Sequence, residues 1–206
     1  MGRKLTTSLS DGTLAVSSLL AAWRLHESSA NWHLHFFSST LKLEETPLFG
    51  ISCFLLIAVA AFLGTIRFSF SSPPNKLISL HKKTTWWVSI AGFSLLAANF
   101  NFVYNKAMIG WIHVLSIFVI VFALKTLPNK LSKVLTQIQQ VTSFVSVGGL
   151  CVTHYNWQGA VGIHIIPVAA IIVGTEGKVL GMPAVDVFHY MISCSVYLLS
   201  RALIII

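Results

Sequence analysis

Charged residues are scarce in this 206-residue sequence. Asp, Glu, Lys and Arg make up only 10% of the chain, against about 25% in an ordinary soluble domain. The hydrophobic share is 55% and the mean hydropathy is +0.77, which is more apolar surface than a soluble fold of this size can keep away from water. The composition therefore excludes an ordinary soluble domain and predicts an integral membrane protein.

Acidic residues are especially rare, with six Asp and Glu against 14 Lys and Arg. In a soluble protein such a basic excess would indicate nucleic-acid binding. Here the basic residues lie in the short gaps between apolar runs, which is the pattern of the positive-inside rule. The sequence therefore predicts a lipid bilayer as the partner and no nucleic acid, and it leaves partner membrane proteins or a homo-oligomer open.

Cysteines and recognisable motifs are few. Cys53, Cys151 and Cys194 all fall inside apolar runs and at no metal-ligand spacing, which is typical of small buried hydrophobes rather than of a disulfide framework. The sequence contains no Asn-x-Ser/Thr sequon, so it gives no sign of glycosylation. It also contains no phosphate-binding loop, nucleophile elbow or zincin motif.

Long apolar runs recur along the whole chain. A helix needs about 20 mostly apolar residues to cross a bilayer, and it satisfies its own backbone there. The predicted fold is all-α: a polytopic transmembrane helix bundle of six to seven spans, with seven favoured, in one membrane-embedded domain over 1–206 and no soluble domain. The predicted spans are about 5–23 (the weak one), 48–66, 84–104, 107–124, 135–154, 159–174 and 184–206.

The N-terminal run at 5–23 is open to three interpretations: a span, a surface helix or a cleaved mitochondrial presequence. Its apolar part is short, and it carries Asp11. With seven spans and an inner N-terminus, most Lys and Arg fall on the inner side, which favours a retained span. That topology places 67–83 and 125–133 on the inner side, opposite 105–106 and 156–158. We expect an endomembrane location (endoplasmic reticulum or Golgi), with the mitochondrial inner membrane as the alternative.

A weak internal repeat involves two histidines. Tyr104-Asn105 and Ile112-His113 recur 51 positions later as Tyr155-Asn156 and Ile163-His164. One hypothesis is that His113 and His164 face each other and bind a haem or metal cofactor. The alternative, which we favour, is that Tyr-Asn closes a hairpin and each histidine bonds within the bundle. His154, on the predicted outer side, is a weaker candidate metal ligand.

Four further polar residues lie inside predicted spans. Asp186 and His189 are three positions apart and share one helix face, and ionisable residues at membrane depth are functional candidates. The favoured alternative is that Asp186 occupies the first helical turn, at the headgroup level, where the helix dipole stabilises it. Asn99 and Asn101 are interpreted as residues whose amides bond between packed helices.

The function that these patterns indicate is a small membrane scaffold or carrier. The alternative is a metal- or haem-dependent membrane enzyme that uses the histidines of the outer side. The sequence identifies no catalytic residue and leaves open whether the protein is an enzyme.

Overall fold

The computed structural model describes residues 2–33 and 47–205, and within these ranges it contains seven helices. They are α1 (Gly2–His33), α2 (Leu48–Ser69), α3 (Asn75–Val103), α4 (Ala107–Thr126), α5 (Asn129–Thr153), α6 (Trp157–Val173) and α7 (Ala184–Ile204). Two short antiparallel strands, β1 (Lys178–Val179) and β2 (Met182–Pro183), precede α7. Of the residues that the structure describes, 86% are helical, so the predicted all-α class is confirmed.

Successive helices run in opposite directions. Six of them form a closed ring in the order α1, α2, α3, α5, α6, α7, and α4 packs outside it against α3 and α5. The ring closes where α1 meets α7. These two helices are parallel, as two contacts show: Asp11 contacts His189, and further along both helices Arg24 lies over Tyr197. The connections at 70–74 and 127–128 therefore share one end of the bundle, called the inner end here after the predicted topology. The turns at 104–106 and 154–156 occupy the outer end.

Four helices are long and apolar enough to cross a membrane: α2, α3, α4 and α7. The helix α6 is apolar but shorter. In the parts of the chain that the structure describes, α1 and α5 fall below this threshold because they carry many Ser, Thr and Gln residues. The structure therefore supports a membrane protein with four candidate spans, where the sequence predicted six to seven.

Eight polar residues of α1 and α5 face the inside of the bundle. These buried residues are Thr7, Ser8, Ser10, Asp11, Ser18, Ser132, Gln139 and Ser143. The outward faces of the same two helices carry exposed apolar side chains, namely Leu5, Leu9, Val16, Leu19, Trp23, Leu131, Val134, Ile138, Val141 and Val145. A surface helix of a soluble protein has the opposite arrangement. Apolar outside and polar inside is the pattern of helices that face lipid.

The two outer turns share one backbone pattern. In each, a residue with positive φ ends the helix, Asn105 at 58° and Tyr155 at 57°. The amides of Lys106 and Asn156 each bond at 2.7 Å to a carbonyl five residues earlier, as in a Schellman motif. The two turns therefore have the same backbone conformation at positions 50 residues apart, whereas the identical residues of the sequence repeat are 51 positions apart. His113 and His164 therefore differ by one residue, or about 100°, in helical position.

Two helices contain π-helical segments. In α6 the segment Ala169–Val173 follows Pro167, which has no amide to donate to the carbonyl of Ile163. The other segment, Val88–Gly92, lies in the middle of α3. Such segments are uncommon and often accompany functional sites. The second one borders a cavity between α1, α2, α3, α6 and α7.

Candidate functional site

An elongated cavity of about 320 Å³ lies between α1, α2, α3, α6 and α7. Along α7 it extends from Val185 to Leu199, which is about 21 Å of helix at 1.5 Å per residue. Its walls are mostly apolar and include Leu14, Phe54, Ile57, Leu96, Ile192 and Val196. The volume lies at the low end of the range of small-molecule pockets, about 300–1,000 Å³. Because that volume is spread along such a length, the cavity is narrow.

Small side chains create this space. Ala60 and Ala61 on α2 and Gly92 on α3 all line the cavity. A Cβ atom added at Gly92 would have only ordinary contacts, with Val88 at 3.6 Å and Cys53 at 4.0 Å. The π segment of α3 also places Val88 and Ser89 on the wall beside Gly92. The cavity thus follows from short residues on two neighbouring helices together with a local change in helix winding.

The polar groups of the cavity lie near the inner end, where Asp11 meets His189. The Nδ1 atom of His189 is 3.0 Å from Oδ1 of Asp11, whose side chain is 3% exposed. A carboxylate only accepts hydrogen bonds, so Nδ1 of His189 carries a proton and donates a hydrogen bond to Asp11. In the neutral form of the ring, the other nitrogen, Nε2, is then an acceptor. Among the described residues nothing bonds to it.

Ser10 and Asp186 also belong to the group of polar side chains around His189. The Oγ atom of Ser10 donates to the carbonyl of Thr7 at 3.0 Å and lies 3.3 Å from both Asp186 Oδ1 and His189 Nδ1. Asp186 occupies the first turn of α7 and is 2% exposed. In a Ser-His-Asp triad the serine and the aspartate contact different nitrogens of the histidine ring. Here Ser10 and Asp11 both approach Nδ1 of His189, so Ser10 is not placed as a nucleophile.

Asp11 fits against α2 only because residue 64 is glycine. A Cβ atom at Gly64 would collide with Oδ2 of Asp11. This oxygen is buried and has no hydrogen-bond partner among the described residues. The carboxylate is therefore held between the bare surface of α2 at Gly64 and the ring of His189.

A second histidine, His81, lines the same end of the cavity from α3. Its Nδ1 atom is 3.0 Å from Nη1 of Arg67. A guanidinium only donates hydrogen bonds, so Nδ1 of His81 is the acceptor and the neutral ring carries its proton on Nε2. His81 is also close enough to Asp11 and His189 to interact with them electrostatically. The two imidazoles thus reach one cavity in opposite tautomers.

Sequence reasoning found only part of this group. It identified Asp186 and His189, and the structure places both at this site. It did not identify Arg67 or His81, and it treated Asp11 as an obstacle to a span. The signal that was available is that an acid within a predicted span is itself a functional candidate.

His113 and His164 contact different faces of α5. His113 is buried, and its Nδ1 atom lies 3.5 Å from Oγ of Ser143. His164 is exposed and donates from Nδ1 to the carbonyl of Ala160 at 2.7 Å, and its ring lies beside Gly148. Positions 143 and 148 are about 140° apart around a helix. No contact among the described residues joins the two rings, and their cofactor role stays a prediction.

His154 lies in the cluster that joins the two outer turns. Its ring stacks on Tyr104 with centroids 4.2 Å apart. The Tyr104 hydroxyl accepts a hydrogen bond from Asn156 Nδ2 at 3.1 Å. Within residues 2–33 and 47–205, no group of three or more His, Cys, Asp or Glu side chains is arranged to hold a metal ion. A metal-binding role for His154 likewise stays a prediction.

Asn99 and Asn101 bond to neighbouring helices. The Oδ1 atom of Asn99 accepts from the amide of Gly50 at 3.0 Å, an amide in the first turn of α2. Asn101 donates from Nδ2 to Ser146 at 2.7 Å. These contacts join α3 to α2 and to α5, and both asparagines are 1% exposed.

Comparisons with family models, curated proteins and solved structures found no match.

Proposed function

We propose that this protein is a membrane carrier that holds a chain-like apolar molecule in the cavity between α1, α2, α3, α6 and α7. The observation that carries the proposal is the shape and lining of the cavity, narrow, about 320 Å³ in volume and mostly apolar. The cavity is partly open to its surroundings, and its space equals the volume of about ten waters at ~30 Å³ each, whereas well-packed helices leave few gaps larger than one water molecule. A pure scaffold has no need for such a space.

The proposal includes seven membrane spans. The alternating directions of the helices and the outward apolar faces of α1 and α5 support it. Average hydropathy misses these two helices because it does not separate the face toward lipid from the face toward the bundle. The helix α6 is about 25 Å long at 1.5 Å per residue, which approaches the ~30 Å hydrocarbon core of a bilayer.

We also propose that α1 is retained in the mature protein. It packs between α2 and α7 and supplies the carboxylate that holds His189. Its removal as a presequence would take away one wall of the cavity. Retention favours the endoplasmic reticulum or Golgi over the mitochondrial inner membrane, and fluorescence microscopy of the tagged full chain tests this location.

The carrier function is tested by closing the cavity. Gly92→Leu is expected to place a side chain in the cavity and to weaken binding of a fluorescent fatty-chain probe by tenfold or more. Gly149→Leu is the matched control, because this position on α5 is exposed and a Cβ atom added there has nothing within 4 Å. Binding is measured on purified protein in detergent, and thermal unfolding checks that both variants fold.

Equal probe binding by the two folded variants would place the ligand outside the cavity and contradict the proposal.

A further inference from the structure

We propose that the polar end of the cavity recognises an uncharged hydroxyl group, so that the ligand is a long-chain alcohol. This inference rests on the proposed carrier function and specifies its ligand. It is drawn from the hydrogen-bonding partners of His81 and His189, which together determine what the cavity presents to the end of a chain.

The two imidazoles present one donor and one acceptor. Asp11 accepts from Nδ1 of His189 at 3.0 Å, which leaves Nε2 of that ring as an acceptor. Arg67 donates to Nδ1 of His81 at 3.0 Å, which leaves Nε2–H of that ring as a donor. Both rings line the cavity. A hydroxyl group both donates and accepts, so it is complementary to this pair.

The other hydroxyl groups of the polar end already use their protons within α3. Thr85 donates to the carbonyl of His81 at 2.9 Å, and Ser89 donates to the carbonyl of Trp86 at 2.7 Å. Neither therefore adds a free donor to the cavity. Among the described residues of the lining, the two imidazoles therefore remain as polar groups available to a ligand, beside the unpartnered Oδ2 atom of Asp11 that lies against Gly64.

In the described ranges, the one cation at the site, Arg67, is bonded to His81. A carboxylate headgroup would lose its hydration in this apolar cavity without meeting a free cation among the described residues, which is unfavourable. Asp11 and Asp186 contact His189 and Ser10 through Oδ1, and their Oδ2 atoms have no hydrogen-bond partner among the described residues. The arrangement therefore selects against carboxylates, and an amine is the charged competitor that the test must include.

The test compares ligands of one chain length on the purified full-length protein. The probes are dodecan-1-ol, its methyl ether, dodecane, dodecanoate and dodecylamine, each measured by displacement of a fluorescent chain probe. The alcohol is expected to bind about tenfold more tightly than dodecane, because two hydrogen bonds in a buried site together contribute roughly that factor. The methyl ether, which accepts but cannot donate, should fall between them.

Variants of the two rings identify where the preference arises. His81→Phe and His189→Phe are each expected to reduce the advantage of the alcohol over dodecane to about threefold or less, since each removes one partner. His164→Phe is the matched control: it changes an exposed histidine on α6 that does not line the cavity, and it should keep the full preference.

Three results would overturn the inference. Dodecane that binds as tightly as the alcohol would leave a chain-binding cavity without headgroup recognition. Tighter binding of dodecanoate or dodecylamine would show that the site accepts charge. A full preference for the alcohol in both ring variants would place its hydroxyl elsewhere. The proposed carrier function fails separately, if none of the five probes displaces the fluorescent chain from the wild type.

Discussion

Replacing Gly64 by alanine is expected to separate Asp11 from His189. The new Cβ would collide with Oδ2 of Asp11, so the carboxylate must move by roughly 1 Å to reach a normal separation of ~3.5 Å. The Asp11–His189 distance is now 3.0 Å. A shift of that size away from α2 and across the ring would take the pair close to or beyond the ~3.2 Å limit of a good hydrogen bond.

Two opposing effects determine the change in stability. Loss of a buried hydrogen bond to a charged group costs about 1.5–3 kcal/mol. Alanine is a better helix former than glycine by about 1 kcal/mol. The lost hydrogen bond outweighs the gain in helix propensity, so the free energy of unfolding of Gly64→Ala should fall by about 0.5–2 kcal/mol. Gly149→Ala keeps only the gain in helix propensity, because nothing lies within 4 Å of its added Cβ.

Two measurements check this prediction. Equilibrium unfolding in mixed micelles compares Gly64→Ala with Gly149→Ala. The ¹⁵N chemical shifts of the His189 ring report whether Nδ1 still donates to Asp11, independently of stability. If Gly64→Ala is as stable as Gly149→Ala and keeps the His189 shifts of the wild type, the contact between Asp11 and Gly64 does not hold the pair together.

Three further outcomes follow from the same structure. Single cysteines at Lys76 and Asn156, in a chain without native cysteines, should react with an impermeant label from opposite sides of the membrane, and labelling from one side would contradict the topology. Mass spectrometry of the mature protein should find residues 5–23 present, whereas a start near residue 30 would show that α1 is removed. Asn99→Ala should lower the free energy of unfolding by about 1–3 kcal/mol, because it leaves the buried amide of Gly50 without its acceptor. Unfolding in micelles measures that change, and a loss below ~0.5 kcal/mol would contradict it.

The helices that could be predicted are those whose polarity is uniform around the axis. The run 48–66 starts where α2 starts, and 107–124 falls within α4, because both are apolar on every side. Hydropathy placed the third run at 84–104, but α3 begins at Asn75, since its first turns carry lysines beyond the apolar stretch. Hydropathy also gave only a weak signal for α1, because this helix carries polar residues on the face that is buried in the bundle.

The candidate site depended on contacts that no local pattern encodes. Asp186 and His189 could be placed on one face because they are three positions apart. Asp11 comes from the other end of the chain, and its contact with His189 exists only because α1 closes the ring against α7. The cavity is likewise a property of packing. The internal repeat shows that a sequence pattern can also miss the structural equivalence. Identical residues recur after 51 positions, but the backbone of the turns recurs after 50, because a turn is defined by its hydrogen bonds and dihedral angles.

The closure of the ring by α1 and α7 affects how the protein is made. The first helix leaves the ribosome long before the last, so Asp11 reaches the bilayer while His189 is still untranslated. An acidic residue disfavours insertion of a helix, by about 2.5–3.5 kcal/mol at the helix centre on translocon scales and by less toward the end, where Asp11 lies. We therefore expect α1 to stay with the insertion machinery or at the membrane surface until α7 is synthesised. Chains that terminate before α7 should be recognised by quality control and degraded.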